Sequence, residues 1–241
     1  MRALAIIHDP LELPAMVGER LTAHGIELQR LAVARSLDHP GVRVEFPDPT
    51  QFDLVVAMGS VWSVYDRDRI GVWVEPELEF LRDADRAGVP ILGICFGGQA
   101  LAAALGGESV PAEKPQIGWY EMESSEPAIG PGPWFEWHGD RIEPPPGAEV
   151  LAWDDSCVQA FRVGRHLGTQ FHPEVNALLL EEWLAEEMGD REARAFGLEP
   201  RRLLERTVAI EGDARRRCDR LVDWFLTDVA ALVRPATPAG S

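Results

Sequence analysis

Lysine is almost absent from this chain. Lys114 is the only one among 241 residues, so arginine supplies nearly all of the 23 basic side chains. Against 40 Asp and Glu residues this leaves a net charge of −17 at neutral pH. A field of that sign repels phosphate backbones and argues against nucleic acid as a partner. Cysteine is scarce and odd in number: Cys95, Cys157 and Cys218, with no pair at zinc-finger spacing. That excludes a disulfide framework and points to a reducing, cytoplasmic setting. No apolar run approaches the roughly 18 residues of a membrane span, so no membrane partner is expected. The N-terminal Met-Arg-Ala-Leu-Ala-Ile-Ile is short and ends in His8-Asp9-Pro10 without a small-residue cleavage site, so it does not read as a signal peptide. Neither an HExxH pattern nor a Cys/His ligand cluster occurs, and no metal or other cofactor is expected.

What is present is a globular composition, 46% apolar and 26% charged. A chain of this length corresponds to one or two domains and can bury a core without staples. The first half alternates strand and helix signals. Leu4–His8, Ile26–Leu31, Phe52–Met58 and Ile91–Ile94 read as strands, the last two as buried parallel ones. Leu13–His24 has helical spacing and ends at Gly25. A second helix opens at Pro76 and stops at Gly88-Val89-Pro90; a third covers Phe96–Leu105. Such alternation implies a parallel sheet with right-handed crossovers. Residues 109–171 hold shorter strand-like runs separated by Pro and Gly clusters, read as hairpins added to one edge of the same sheet. The last third is helical, with amphipathic stretches at Leu178–Met188 and Arg215–Leu232 and a frayed tail at 234–241.

The most informative segment is Ile91-Leu-Gly93-Ile-Cys95-Phe-Gly97-Gly-Gln99. A buried strand runs through Gly-x-Cys-x-Gly directly into a helix, the pattern of a nucleophile elbow with sulfur in place of oxygen. Gly93 and Gly97 leave room where the backbone crowds the turn. Cys95 falls at a helix N-terminus, whose partial positive charge favours thiolate, and the Phe96 amide can donate to an oxyanion. The plainer alternative is a buried cysteine beside a packing turn. Cys157 sits in a strand-like run and Cys218 in a helix, and both read as packing residues.

A thiol nucleophile needs a histidine nearby in space. The chain has His8, His24, His39, His138, His166 and His172. His172 follows a strand within Gln-Phe-His172-Pro-Glu174, and Pro173 biases it toward an extended backbone. In extended chain, positions two apart point the same way, so Glu174 can hold the imidazole. This gives a Cys95–His172–Glu174 triad with Glu as the orienting member. Standing alone, His172-Pro-Glu174 would also suit a helix N-terminus.

Together these residues resemble the class I, triad-type glutamine amidotransferase family. Gly93-Ile-Cys95-Phe-Gly-Gly-Gln99 looks like its nucleophile motif, Gln-Phe-His172-Pro-Glu174 like its His-Pro-Glu motif, and Ala57-Met-Gly59-Ser60 like its oxyanion loop. The resemblance implies an α/β fold: an open, mostly parallel, flavodoxin-like sheet flanked by helices, here with a β-hairpin edge and a C-terminal helical extension. It places a glutamine amidotransferase domain at 1–190 and the extension, packed on the same domain, at 191–241. It implies that Cys95 forms a γ-glutamyl thioester and that His172 moves the protons while Glu174 orients it. Gly59 and Phe96 would bind the oxyanion. Gln99 would contact the substrate, and so, on a weaker match, would Trp137 and His138 in Trp137-His138-Gly139-Asp140. Two departures stand out: Gly98 replaces a bulkier residue and would reshape the pocket, and Met58-Gly59-Ser60 replaces Gly-Gly-Pro. The implied substrate is glutamine or a γ-glutamyl compound. No P-loop and no ATP-pyrophosphatase stretch occurs, which favours a stand-alone enzyme or one with a separately encoded synthase partner. A non-catalytic regulatory protein of this fold, and a cysteine-dependent protease-like or chaperone-like relative, are the alternatives.

Overall fold

The computed structural model describes residues 1–8, 13–34, 36–37, 40–130 and 132–233. His39 and the tail at 234–241 lie outside them. Strands β1 (Arg2–Ile7), β3 (Leu54–Ala57) and β4 (Ile91–Ile94) are apolar runs, fully buried beyond Arg2, as strands covered on both faces must be. Strand β2 (Glu27–Ala32) is largely exposed and forms one edge of the sheet, where its charged residues discourage further pairing. Helices α1 (Ala15–Ala23), α2 (Arg67–Arg86) and α3 (Phe96–Ala104) follow β1, β3 and β4 in sequence.

Helix α2 starts at Arg67, not at Pro76, which lies inside it. The proline removes one backbone donor. Ile70, Trp73 and Val74 nevertheless extend the buried face of Leu78 and Leu81 back toward the N-terminus. That burial outweighs the missing hydrogen bond.

The middle third supplies β5 (Glu108–Tyr120), β6 (Glu123–Ser124), β7 (Trp134–Glu143), β8 (Glu149–Trp153), β9 (Val158–Val163) and β10 (His166–Thr169). All belong to one ten-stranded sheet, ordered β2-β1-β3-β4-β10-β9-β7-β5, with β8 against β9 and β6 against β8. The strands from β2 to β10 in that order are parallel; the remaining pairings are antiparallel. Two details depart from the sequence reading. Strand β10 forms a hairpin with β9, but it sits in the centre of the sheet, where it pairs with β4 in parallel. Strand β5 begins well before Trp119, because its Pro111 and Pro115 lie on an outermost strand with a register shift, where proline is tolerated.

The C-terminal third folds as α4 (Ala177–Ala185), α5 (Glu187–Ala195) and α6 (Pro200–Trp224), closed by a π-helical turn at Phe225–Val229. The stretch read as one helix over Leu178–Met188 breaks at Glu186, whose backbone is extended. At that corner a Cβ on Gly189 would stand 2.1 Å from the Trp183 carbonyl oxygen, so only glycine allows the close turn. Helix α6 starts at Pro200, ahead of the expected Arg215. Proline suits a first helical position, and Leu203, Thr207, Ala214, Cys218 and Leu221 form its buried face. It packs on α1 and α4. Separate apolar cores cover the two faces of the sheet. Among the described residues no helix is long and apolar enough to cross a membrane.

Candidate active site

Cys95 follows β4 and caps α3 with φ 50° and ψ −108°, a backbone conformation that costs a side-chain-bearing residue energy and clusters at functional sites. The neighbouring glycines make the turn feasible. A Cβ on Gly93 would lie 2.5 Å from the Gly97 carbonyl oxygen, and one on Gly97 would lie 2.0 Å from that of Ala57. The Cys95 amide donates to Thr169 O at 2.8 Å, tying the elbow to the end of β10. Its sulfur sits 3.7 Å from Gln170 Nε2 and 3.8 Å from the Trp137 carbonyl. The Phe96 amide is one of those a helix start leaves without an intrahelical acceptor.

His172 reaches this point because β10 pairs with β4 in parallel, Thr169 opposite Ile94, so both strands end side by side. Its amide donates to Phe135 O at 2.8 Å, and its ring meets Trp183 edge-on at 5.3 Å. Nδ1 lies 2.7 Å from Glu174 Oε1. Pro173 and Glu174 form a turn, not the extended segment expected from Pro173, yet the turn still delivers the carboxylate to the ring. Both side chains are buried, His172 at 3% exposure and Glu174 at 0%. Burial opposes a charged imidazole here, but Glu174 and then the Cys95 sulfur more than offset it, and the proton affinity of His172 is raised well above the ordinary value. Nε2 has no nitrogen or oxygen partner, and the Cys95 sulfur interacts with the ring.

A cavity of about 350 Å³ opens over these groups. Cys95, Phe96, His172, Gln99, Trp137 and His138 all line it. Gln99 is held by Ser109 Oγ at 3.1 Å and donates weakly to Asp140 O and Gln170 Oε1, each at 3.4 Å. His138 Nδ1 donates to Asp140 O at 2.8 Å, and burial lowers its pKa to about 4, so it is neutral at neutral pH. In the loop after β3, Ser60 rather than Gly59 lines the cavity. The loop is anchored from both sides: Met58 N–H donates to Ile6 O at 3.1 Å, and Met58 O accepts from Gly97 N–H at 3.0 Å. Gly98 does not line the cavity. A Cβ there would stand 2.6 Å from the Thr169 carbonyl oxygen, so the residue sets how closely α3 approaches β10.

Sequence reasoning missed one wall of the cavity. Trp183 of α4 and Glu186, Met188, Gly189 and Glu192 at α5 close it, and Trp137 Nε1 donates to Glu192 at 2.9 Å. Nothing in the linear pattern separates these residues from any amphipathic helix. The other thiols are in inert surroundings. Burial pushes Cys157 up to about 12 and holds Cys218, fully buried in α6, well above the ordinary thiol range.

The fold and site define an α/β protein with a strained cysteine between strand and helix and a buried His–Glu pair beside it. A family model for class-I glutamine amidotransferases matches residues 27–179, and the chain belongs to that family. It is 39% identical over 131 residues to a GMP synthase (glutamine-hydrolyzing) from Thermomicrobium roseum, covering 50% of this chain and 23% of that one. A second GMP synthase (glutamine-hydrolyzing), from Alcanivorax borkumensis, is 38% identical over 111 residues, covering 39% and 21%. The chain thus spans less than a quarter of either relative. Among solved structures, a glutamine amidotransferase from Thermotoga maritima superposes with a TM-score of 0.81 at 26% identity, covering 94% of this chain and 98% of that one. A glutamine amidotransferase from Methylobacillus flagellatus shares the fold at the same TM-score and 24% identity, covering 100% and 98%.

Proposed function

We propose that the protein is a glutamine amidotransferase-type amidohydrolase acting on glutamine or a γ-glutamyl compound through Cys95, His172 and Glu174. The observation that carries this reading is the junction of the strained Cys95 elbow with the buried His172–Glu174 pair. His172 Nε2 takes the thiol proton, and its raised proton affinity favours the thiolate–imidazolium pair. The thiolate attacks the γ-carboxamide carbon, and the Phe96 and Gly59 amides receive the negative charge that develops on oxygen. Collapse breaks the C–N bond, and the Nε2 proton passes to the departing nitrogen, which leaves as ammonia or an amine. Water then gives a proton to Nε2 and adds to the thioester. Glutamate leaves, and the sulfur regains its proton.

Glu174 acts on orientation and charge alone, since its carboxylate reaches only Nδ1. That Gln99, Trp137 and His138 line the same cavity supports a role for them in holding the substrate. The similarity to GMP synthases supports a second reading, a glutaminase that passes ammonia to a synthase. Ammonia release from glutamine and from a panel of γ-glutamyl amides tests the primary reading. Wild-type protein should turn over at least one of them, Cys95→Ala none, and Cys157→Ser nearly as well as wild type. Hydrolysis that survives Cys95→Ala would refute it.

A further inference from the structure

Two ionisable side chains that the reaction above does not use, His8 and Glu77, lie at 0% exposure behind the oxyanion loop. His8 directly follows β1, and Glu77 lies in α2. Nδ1 of His8 is 2.9 Å from the Gly59 carbonyl oxygen; Nε2 is 2.8 and 3.0 Å from the two carboxyl oxygens of Glu77. A carbonyl can only accept, so Nδ1 carries a proton. Whichever partner holds the second, shared proton, Nδ1 keeps its own. The His8 ring also packs on Phe96, the residue after the nucleophile, with centroids 4.7 Å apart, and on Trp73 at 5.6 Å. Burying such a pair among aromatic rings is costly, and in general it is a poor source of stability.

The geometry shows what the pair does for the loop. The C=O and N–H of a trans peptide point in opposite directions. Gly97 N–H holds Met58 O, which directs the Gly59 N–H. His8 holds Gly59 O, which directs the Ser60 N–H toward the other side. Gly59 lacks a Cβ and is the residue about which these two peptides would rotate at least cost. With one carbonyl on each side of it bonded, neither peptide is free to turn.

We propose that His8 and Glu77 are a positioning pair for the oxyanion loop: His8 fixes the Gly59–Ser60 peptide, and Glu77 fixes His8. The proposal rests on the amidohydrolase reading and is tested with the full chain. In purified wild type, His8→Leu, His8→Asn and His8→Gln, three quantities are compared: kcat and KM for the best substrate of the panel, the rate at which iodoacetamide alkylates Cys95, and the melting curve. Releasing the Gly59–Ser60 peptide lets the backbone of Gly59, which carries the proposed oxyanion donor, shift; this should lower kcat about 100-fold in His8→Leu and His8→Gln, with KM changed less than about threefold. Alkylation attacks a saturated carbon and builds no oxyanion, so its rate should stay within about threefold of wild type. An asparagine amide places N–H where Nδ1 stood, whereas a glutamine amide falls nearer Nε2. His8→Asn should therefore recover at least about tenfold in kcat over His8→Gln. If His8→Leu does not fold, the Asn-against-Gln contrast decides alone. Full kcat in His8→Gln, equal losses in Asn and Gln, or a parallel fall in alkylation would overturn the proposal while leaving the amidohydrolase reading intact. A wild-type protein that is alkylated at Cys95 but hydrolyses no member of the panel would defeat that reading, and the positioning role with it.

Discussion

The parallel half of the sheet and its antiparallel wing differ in where they bury polar groups. In β1, β3 and β4 the buried positions are entirely apolar, and only β10, where the parallel half meets the wing, buries polar side chains, His166 and Thr169. Ionisable or reactive side chains appear just past the strand ends: His8 after β1, Cys95 after β4 and His172 beyond β10. The wing instead buries Gln116, Glu136, His138 and Gln159 within its strands. Burial raises the Glu136 carboxyl well above its ordinary range and lowers His138. Parallel strands enclosed on both faces leave room for chemistry only at their carboxyl ends, where helices begin and loops open. The wing tolerates polar groups inside its strands, at a cost in stability, and its β5 and β7 line one side of the cavity through Pro111, Trp137, His138 and Asp140.

If the parallel half carries the bond-making groups, the largest effects belong there. His172→Ala should lower kcat by about 10²–10⁴-fold, the range for a lost general acid–base group. Glu174→Gln, which keeps the shape and loses the charge, should lower it less. Steady-state kinetics decide this, and an equal loss in both variants would mean that Glu174 does more than orient. Next comes packing. Gly97→Ala forces a Cβ to 2.0 Å from the Ala57 carbonyl oxygen, and denaturant titration should register a loss of about 3 kcal/mol. Gly139→Ala in the wing places its Cβ with nothing within 4 Å and should change stability by less than about 0.5 kcal/mol. Comparable losses at the two sites would erase the contrast between the halves.

The last prediction concerns the buried histidine of the wing, and its effect appears only on acidification. His138 binds its proton near pH 4 when folded and near 6.5 when unfolded. Between those values the unfolded chain holds the extra proton, so His138 makes folding stability rise with pH across that window and fall as pH drops from about 6.5 to 4. The full span amounts to roughly 3 kcal/mol. Urea unfolding of wild type and His138→Gln from pH 4 to 7 should give a flatter profile for the variant. An unchanged slope would show that the acid sensitivity lies elsewhere.

The strands of the parallel half, the cysteine elbow and the His172-Pro-Glu174 segment were legible in the sequence because each depends on short-range rules. A buried strand is a run of apolar residues. The elbow needs glycine at 93 because its own backbone passes too close there, while glycine at 97 makes room for Ala57 of the neighbouring strand β3. The carboxylate of Glu174 lies two residues from the imidazole it bonds. Start points were less legible: Pro76 and Pro111 look like breakers until a buried face or an outermost strand makes them tolerable. What only the tertiary structure decided is what meets what. Cys95 and His172 are 77 residues apart in sequence and come together because β10 returns through the wing to pair with β4. The cavity wall at 183–192 depends on the break at Glu186. The contact of His8 with Gly59 and Glu77 joins residues 51 and 69 positions away. Such meetings are set by strand order and helix packing, which are properties of the assembled sheet and have no local pattern in the chain.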